Sequence, residues 1–304
     1  MAMVTPAMSA ADAAALWAAD DTPARPESYL QAARRRFMRN RAGLVSLGVL
    51  LALVALSVLA PVLTPYDPSV GTASERLRPI GAAGHPLGTD EQGRDMLTRI
   101  LYGGRMSLIA GLTPVAIATI VGTALGSLSG FLGRWVAASI MRIMDMFYAF
   151  PAVLLAIAIS ASLGPGIVNQ IIALTIIYIA PIARVAEAAT RRIVVAEFIE
   201  AAKLSGAGTT RIILTQVIAN IFSPIFVYSS GLVGLAIVTA ASLSFLGLGV
   251  RPPTPEWGFM LNSLRGTIYV NPWVAALPGL FIFMTSISFN MLADSIRDSL
   301  DVRE

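Results

Sequence analysis

The stretch Glu197-Phe-Ile-Glu-Ala-Ala-Lys-Leu-Ser-Gly206 is a short polar segment between two long apolar ones. Apolar runs of about 20 residues are long enough to cross the hydrocarbon core of a bilayer as helices. A polar segment between two such runs therefore lies in water at one face of the membrane. The helical spacing i, i+3, i+4, i+7 places four of its residues on one stripe: Phe198, Ala201, Ala202 and Ser205. The pattern predicts a short helix, stopped by Gly206, that can dock against another protein.

The composition indicates a membrane-embedded chain. Of the 304 residues, 56% are hydrophobic and only 13% are charged, whereas soluble domains carry about 25% charged residues. The net charge of +4 comes from arginines beside the apolar runs, which is the pattern of membrane topology. Nucleic-acid binding is therefore not expected. The absence of cysteine excludes disulfide and thiol chemistry.

The apolar runs predict an all-α integral membrane protein with six transmembrane helices. Their approximate bounds are Leu44–Leu63, Ser107–Phe131, Val136–Gly164, Asn169–Val185, Ser223–Leu248 and Trp273–Leu292. Arginines are concentrated before the first span and after the fourth, which predicts that both termini are cytoplasmic.

These spans divide the chain into five parts. The parts are a cytoplasmic tail (1–43), a first transmembrane helix (44–63), an extracytoplasmic loop (64–104), a five-helix core (105–294, with an inner loop at about 186–220) and a cytoplasmic C-terminus (295–304). In the extracytoplasmic loop, Thr89 and Gln92 form a capping-box pair. The apolar residues of 96–101 then share one helical face, which predicts an amphipathic helix in the membrane interface.

Three glycines in the second span recur at four-residue spacing: Gly122, Gly126 and Gly130. Missing side chains let another helix approach closely, so these positions predict a helix-packing face. A contact with a transported substrate is the alternative.

A few polar residues lie at the ends of the apolar spans, where an intramembrane or gate role is a default hypothesis. They are Arg142, Asp145, Asn290, Asp294 and Arg297. For Asp145 the alternative is structural, either a pair with Arg142 or a bond to a neighbouring helix.

No pattern for covalent chemistry is visible. The sequence has no phosphate-binding loop of the Gly-x-x-x-x-Gly-Lys-Ser/Thr type and no Gly-x-Ser-x-Gly motif. His85 is the single histidine, and Asp90 to Asp95 lack the ligand spacing of a calcium loop. We therefore expect no metal site, no catalytic residue and no enzyme activity in this chain.

The sequence Glu200-Ala-Ala, followed after three residues by Gly206, resembles the EAA loop of bacterial ABC importer permeases. A second Glu-Ala-Ala at Glu187 has isoleucine at the position of the glycine and does not fit. The family usually continues with Ile-x-Leu-Pro, whereas this chain has Gln216-Val-Ile-Ala219.

Two further segments narrow the resemblance to the peptide/nickel branch, and to its C-type subunit. They are His85-Pro-Leu-Gly-Thr-Asp-Glu-Gln-Gly-Arg-Asp95 and Ser244-Phe-Leu-Gly-Leu-Gly249, the latter followed by Pro252-Pro-Thr-Pro-Glu-Trp-Gly258. Ala293 and Val302 stand where the family has Gly and Pro.

This resemblance implies the ABC type I importer permease fold and a multi-pass protein of the bacterial plasma membrane. It implies a heterodimer with a homologous B-type permease, two cytoplasmic ABC ATPases that bind ATP and Mg, and an extracytoplasmic peptide-binding protein. No cofactor is expected in this chain. The residues assigned to ATPase coupling are Glu197, Phe198, Glu200, Ala201, Ala202, Lys203, Leu204, Ser205, Gly206, Thr209 and Arg211.

The expected function is therefore that of the permease subunit of a dipeptide or oligopeptide importer. A permease for nickel or another small solute is the alternative within the branch. A stand-alone secondary transporter or channel is the alternative from another class, and a membrane scaffold is a third.

Overall fold

The computed structural model describes residues 29–300. The predicted tail over residues 1–28 and the last residues of the C-terminus, 301–304, lie outside the described residues. The α-helices are α1 (Tyr29–Arg39), α2 (Arg41–Val58), α3 (Ala60–Leu63), α4 (Met96–Phe131), α5 (Arg134–Tyr148), α6 (Ala152–Leu163), α7 (Ile167–Val194), α8 (Glu197–Leu204), α9 (Thr209–Ile212), α10 (Ile218–Phe245), α11 (Trp257–Ser263) and α12 (Pro272–Leu300). A π-helical segment, Ile213–Val217, joins α9 to α10.

The prediction of an all-helical membrane protein is confirmed for the described part of the chain. Five helical segments are long and apolar enough to cross a membrane, and they contain α2, α4, α7, α10 and α12. A sixth candidate span is the pair α5 and α6, which meet at an angle of 88°.

The third predicted span is thus not one straight helix. Pro151 lies at the break and is the N-cap of α6. Proline has no N–H to continue the helical ladder, and it disfavours helical geometry in the residue before it, Phe150. The apolar run hides this break, because its hydropathy continues across it.

The second predicted span begins too late, and the predicted interfacial helix is wrong. Helix α4 starts at Met96 and runs without interruption to Phe131. Its N-cap is Asp95, whose carboxylate accepts a hydrogen bond from the Thr98 N–H at 2.7 Å, so Thr89 and Gln92 do not cap a helix. Met96 is fully buried, because the first turn of α4 packs inside the protein rather than on a lipid surface.

Helices α4 and α7 form the central pair of the bundle, and the predicted glycine face lies between them. A Cβ atom on Gly126 would be 2.3 Å from the Ala183 carbonyl oxygen and 2.6 Å from the Ala186 Cβ. On Gly130 it would be 2.6 Å from the Thr190 Cβ, and on Gly122 3.0 Å from the Ile179 carbonyl oxygen. The three glycines therefore set the closest approach of the two helices.

Helix α10 packs against α4 and α12, and α2 covers α12 and α4 from outside. The Ser286 hydroxyl donates to the Gly234 carbonyl at 2.9 Å and ties α12 to α10. Arg105 Nε donates to the Ser57 carbonyl at 2.7 Å and holds the end of α2 against α4.

A buried carboxylate joins α11 to α4. Glu256 is almost fully buried and accepts hydrogen bonds from the Ser107 hydroxyl at 2.9 Å and the Phe259 N–H at 2.8 Å. Burial raises the pKa of Glu256, although these hydrogen bonds act in the opposite direction. The interaction closes the end of the bundle that carries the loop between α10 and α12.

His85 clamps the long loop between α3 and α4. Its Nδ1 lies 2.9 Å from Asp95 Oδ1 and its Nε2 lies 3.0 Å from Glu75 Oε2. An acceptor oxygen beside each ring nitrogen favours the protonated ring, in which both nitrogens donate. Burial lowers the pKa of His85, but the bonds and charges of Asp95 and Glu75 outweigh it, and the net effect raises the pKa above 6.5. Arg78, 3.6 Å from Glu75, and the Tyr66 ring complete the surroundings.

We expect this clamp to make stability depend on pH. Because the pKa of His85 is raised in the folded state, its contribution is complete below about pH 6.5 and is lost as the pH rises through the raised value. A charge-assisted hydrogen bond contributes about 1.5–3 kcal/mol. The measurement is the melting temperature of the purified protein as a function of pH, for the native chain and for His85→Gln. The variant should lose most of the fall at alkaline pH, and an unchanged slope would contradict the assignment.

Candidate functional site

Helix α8 lies between α7 and α9, where the sequence predicts a docking helix. It ends in a Schellman motif, in which the Ala207 N–H donates to the Ala202 carbonyl at 3.1 Å and the Gly206 N–H donates to the Lys203 carbonyl at 3.0 Å. Gly206 has φ +78°, a left-handed conformation that glycine adopts without strain. The motif turns the chain sharply and sends it back into the bundle through α9.

One face of α8 is anchored in the bundle. Ile199 is fully buried and belongs to the main hydrophobic core, and Ala202 and Ala207 pack against that core. The Lys203 ammonium lies 5.2 Å from the centre of the Phe131 ring, at the end of α4. These contacts join α8 to the bundle and to the end of α4.

The opposite face of α8 is exposed and partly apolar. Leu204 is 88% exposed and Phe198 is 43% exposed, and Ala201 and Ser205 are also exposed. The predicted stripe is wrong in one respect, because Ala202 turns towards the bundle. Sequence reasoning also missed Ile199 as the anchor, although a large apolar residue inside a polar segment was a signal for it.

Acidic residues border this exposed face. Glu197 and Glu200 occupy the first turn of α8, where carboxylates interact favourably with the helix dipole. Both are exposed, and neither has an ion-pair partner among residues 29–300. In contrast, Glu187 of the second Glu-Ala-Ala sequence lies inside α7 and pairs with Arg191 at 2.7 Å. Within residues 29–300, the Glu-Ala-Ala copy on α8 is therefore the one whose carboxylate, Glu200, has no ion-pair partner.

Over residues 122–303, the chain matches the family described as binding-protein-dependent transport system inner membrane component. Residues 28–79 match the N-terminal transmembrane domain of oligopeptide transport permease C.

This chain belongs to the inner membrane components of binding-protein-dependent transport systems.

Relatives support the same family over most of the chain. The chain is 42% identical to the di/tripeptide transport system permease protein DppC of Pseudomonas aeruginosa, with 87% of this chain and 89% of that protein covered. It is 43% identical to the glutathione transport system permease protein GsiD of Salmonella typhimurium, with 88% of each chain covered. It is 40% identical to the dipeptide transport system permease protein DppC of Alkalihalophilus pseudofirmus, again with 88% of each covered.

The predicted resemblance to ABC importer permeases is thereby confirmed. The permease is a multi-pass protein of the bacterial inner membrane, and it is the membrane subunit of an ABC transport system, whose other components are ATPases and a binding protein.

The segment after α8 leads through Gly208 into α9. The N-cap of α9 is Gly208, so no side-chain hydrogen bond caps this helix. Thr209 is its first helical residue. Arg211 is exposed on α9. The chain re-enters the bundle at the buried residues Ile212 and Ile213 and continues through the π-helical segment. This local widening lies just before Ile218, next to the position where the family usually has a proline.

The residues predicted for an intramembrane or gate role do not form one cluster. Asp145 pairs with Arg184 of α7, not with Arg142, which makes no ion pair among the described residues. Asn290 lies beside Gly234 of α10, where its Oδ1 would be 2.3 Å from an added Cβ. Arg297 lines a cavity of about 370 Å³ between α7, α10 and α12, and Asp294 is exposed one turn earlier on α12. Asp145 thus makes the bond to a neighbouring helix that the sequence left as an alternative, although spacing along the chain did not identify Arg184 as the partner.

Within residues 29–300, no group of three or more His, Asp or Glu side chains is arranged to hold a metal ion. Both nitrogens of His85 already face carboxylates.

Proposed function

We propose that this permease is one of two membrane subunits of an ATP-driven importer of short peptides. Helix α8 is the main support, because one face is anchored by Ile199 and the other presents Leu204 and Phe198 without a cover. An exposed apolar face with an acidic border suits a groove on a partner. The relatives that carry dipeptides, tripeptides or glutathione support the peptide class.

The proposed assembly contains a homologous B-type permease, two cytoplasmic ATPases and an extracytoplasmic peptide-binding protein. In this assembly α8 and the termini face the cytoplasm, and the loop that contains His85 faces outward. ATP and Mg bind to the ATPases, and this chain performs no catalysis. The translocation pathway lies between the two permeases.

The proposed mechanism is alternating access. Closure of the ATPases moves α8, and the contacts of Ile199 and Lys203 pass that motion to the bundle as a rigid-body shift. Moving a two-state equilibrium from 1:99 to 99:1 requires about 5.5 kcal/mol of differential binding. The ATPases supply this free energy, and the permease supplies the two states.

Nickel transport receives no support from the arrangement of residues. The single histidine, His85, is held between two carboxylates in the loop before α4. A pathway for a peptide needs width and backbone contacts instead.

The proposal is tested by uptake in cells that express the complete transporter. We expect import of labelled dialanine that is lost on deletion of this chain, and no effect of the deletion on nickel accumulation. Expression of the chain from a plasmid should restore peptide uptake. Nickel accumulation that depends on the chain, without any peptide uptake, would overturn the peptide assignment.

A further inference from the structure

Two adjacent spaces lie along α5 and α7 and together form the groove: an aromatic cavity and a charged basin. The aromatic cavity, about 270 Å³, lies under the break between α5 and α6 and includes Tyr148, Tyr178 and Tyr228. The charged basin, about 700 Å³, includes Arg134, Asp145 and Arg184.

Helical periodicity shows that the two spaces lie along the same faces of α5 and α7. On α7, the lining residues of both spaces recur at intervals of three or four and so share one face: Ile177, Pro181, Arg184, Ala188 and Arg191. The same holds for α5: Arg134, Ala138, Met141, Asp145 and Tyr148.

The Arg184–Asp145 ion pair lies where the two spaces meet, and Arg184 packs over an aromatic ring. Arg184 donates a hydrogen bond to Asp145, and its guanidinium carbon lies 4.5 Å from the centre of the Tyr148 ring. Both charged side chains are about half-exposed. Since a guanidinium has five N–H donors, Arg184 can bind a second carboxylate while it keeps Asp145.

The charge of the basin favours an anion. Three arginines line it, Arg134, Arg184 and Arg191, against two carboxylates, Asp145 and Glu187. Glu187 is paired with Arg191 and Asp145 with Arg184. Arg134 has no carboxylate partner among the described residues, so the basin keeps one uncompensated positive charge.

We propose that this groove binds the carboxyl-terminal residue of a transported peptide, with an aromatic or large aliphatic side chain in the aromatic cavity and the carboxylate on Arg184. The inference rests on the proposed peptide import. In a carboxyl-terminal residue, the carboxylate and the side chain are only a few bonds apart. The Arg184 guanidinium lies beside Tyr148 of the cavity wall, so it is close enough to bind the carboxylate while the side chain fills the cavity. The tyrosine rings offer offset or edge-on contacts to an aromatic side chain.

The polarity of the cavity also suits an apolar side chain. Pockets for small ligands are mostly apolar, with a few polar groups that fix orientation. Here Tyr228 and Leu235 form the wall on α10, opposite Phe147 and Tyr148 on α5. Pro181 has no N–H to bond the carbonyl of Ile177, which also lines the cavity.

The test compares uptake of Ala-Phe, Ala-Phe amide and Ala-Ala by the complete transporter in cells. In Tyr228→Ala we expect uptake of Ala-Phe to fall roughly tenfold relative to that of Ala-Ala, compared with the same ratio in the native transporter. Phe283→Ala, an exposed aromatic position of α12 outside the cavity, is the matched control and should leave this ratio unchanged.

The second arm tests the carboxylate. In Arg184→Gln the preference for Ala-Phe over its amide should fall roughly tenfold, because only the acid uses the guanidinium. Arg192→Gln is the matched control for Arg184→Gln, because Arg192 follows Arg191 on α7 and does not line the groove. Ratios between peptides cancel any selection by the binding protein, since that component is the same in every strain.

Equal losses for all three peptides in both variants would overturn the inference and would assign the groove to packing, to a lipid tail or to the partner permease. Peptide import itself would then still stand. Absence of uptake of every peptide by the native transporter would refute peptide import, and the groove assignment with it.

Discussion

Replacing Leu204 by arginine is expected to abolish peptide uptake and leave the permease folded. Leu204 is 88% exposed, so its replacement removes little packing against the rest of residues 29–300. At an interface, a central apolar residue in a desolvated pocket typically contributes about 2 kcal/mol or more, and an unpaired charge there adds a desolvation cost. We therefore expect uptake to fall at least about 30-fold.

The substitution is chosen so that the helix itself survives. Leu204 is the last residue of α8, where a cation interacts favourably with the helix dipole. The measurements are uptake, copurification of the ATPases with the tagged permease, and ATP hydrolysis stimulated by the loaded binding protein. Loss of uptake together with loss of copurification or of stimulated hydrolysis supports coupling through α8.

Two further variants sharpen this result. Tyr269→Arg changes a residue that is 92% exposed on the 3₁₀ segment after α11, and it should affect neither copurification nor ATP hydrolysis. Reversal of charge at Glu200 should weaken the same contact, because its carboxylate has no partner among the described residues. A Leu204→Arg transporter with native uptake and native stimulated hydrolysis would show that α8 does not transmit the motion.

Replacing Gly126 by alanine is expected to prevent stable folding of the permease. An added Cβ would lie 2.3 Å from the Ala183 carbonyl oxygen and 2.8 Å from the Glu187 nitrogen. These are backbone atoms, so no change of side-chain rotamer can relieve the contact and α4 must move away from α7. Overpacking typically costs about 1–3 kcal/mol, and separation of the central helices places this case at the upper end or beyond.

Gly48→Ala is the matched control for this prediction. Gly48 lies inside α2, and an added Cβ there meets nothing within 4 Å. Alanine is a better helix former than glycine by about 1 kcal/mol, so this variant should be neutral or more stable. The measurement is the yield and melting temperature of the purified proteins in detergent. Equal melting temperatures for the two variants would contradict the assignment of Gly126 to a tight helix contact.

Much of the fold was predictable because bilayer thickness and helix geometry act on composition alone. An apolar run of sufficient length has to be a helix in lipid, since its backbone groups find no water there. The positions of Gly122, Gly126 and Gly130 likewise predicted a close helix contact from spacing. The short helix α8 was predictable because Glu197–Gly206 is polar, helical in pattern and terminated by glycine.

The features that the sequence did not predict depend on contacts between residues that are distant in the sequence. The start of α4 at Met96 depends on Asp95 as its cap and on burial beneath Trp257, whose indole N–H donates to the Ile100 carbonyl at 2.9 Å. The break at Pro151 was hidden within a hydropathy signal that averages over the whole run. The bond of Asp145 to a neighbouring helix was left open as an alternative, but its partner Arg184 is 39 residues away in the chain and could not be identified from spacing.

The sequence by itself determined that this protein is a helical membrane permease with a short polar helix between two apolar ones, because transfer of side chains between water and lipid is set residue by residue. Only the tertiary structure decided which face of α8 is anchored by Ile199, how α5 bends away from α6, and where Arg184 meets Tyr148. These features depend on which side chains meet across neighbouring helices, and that is settled by packing in three dimensions rather than by the order of residues along one helix.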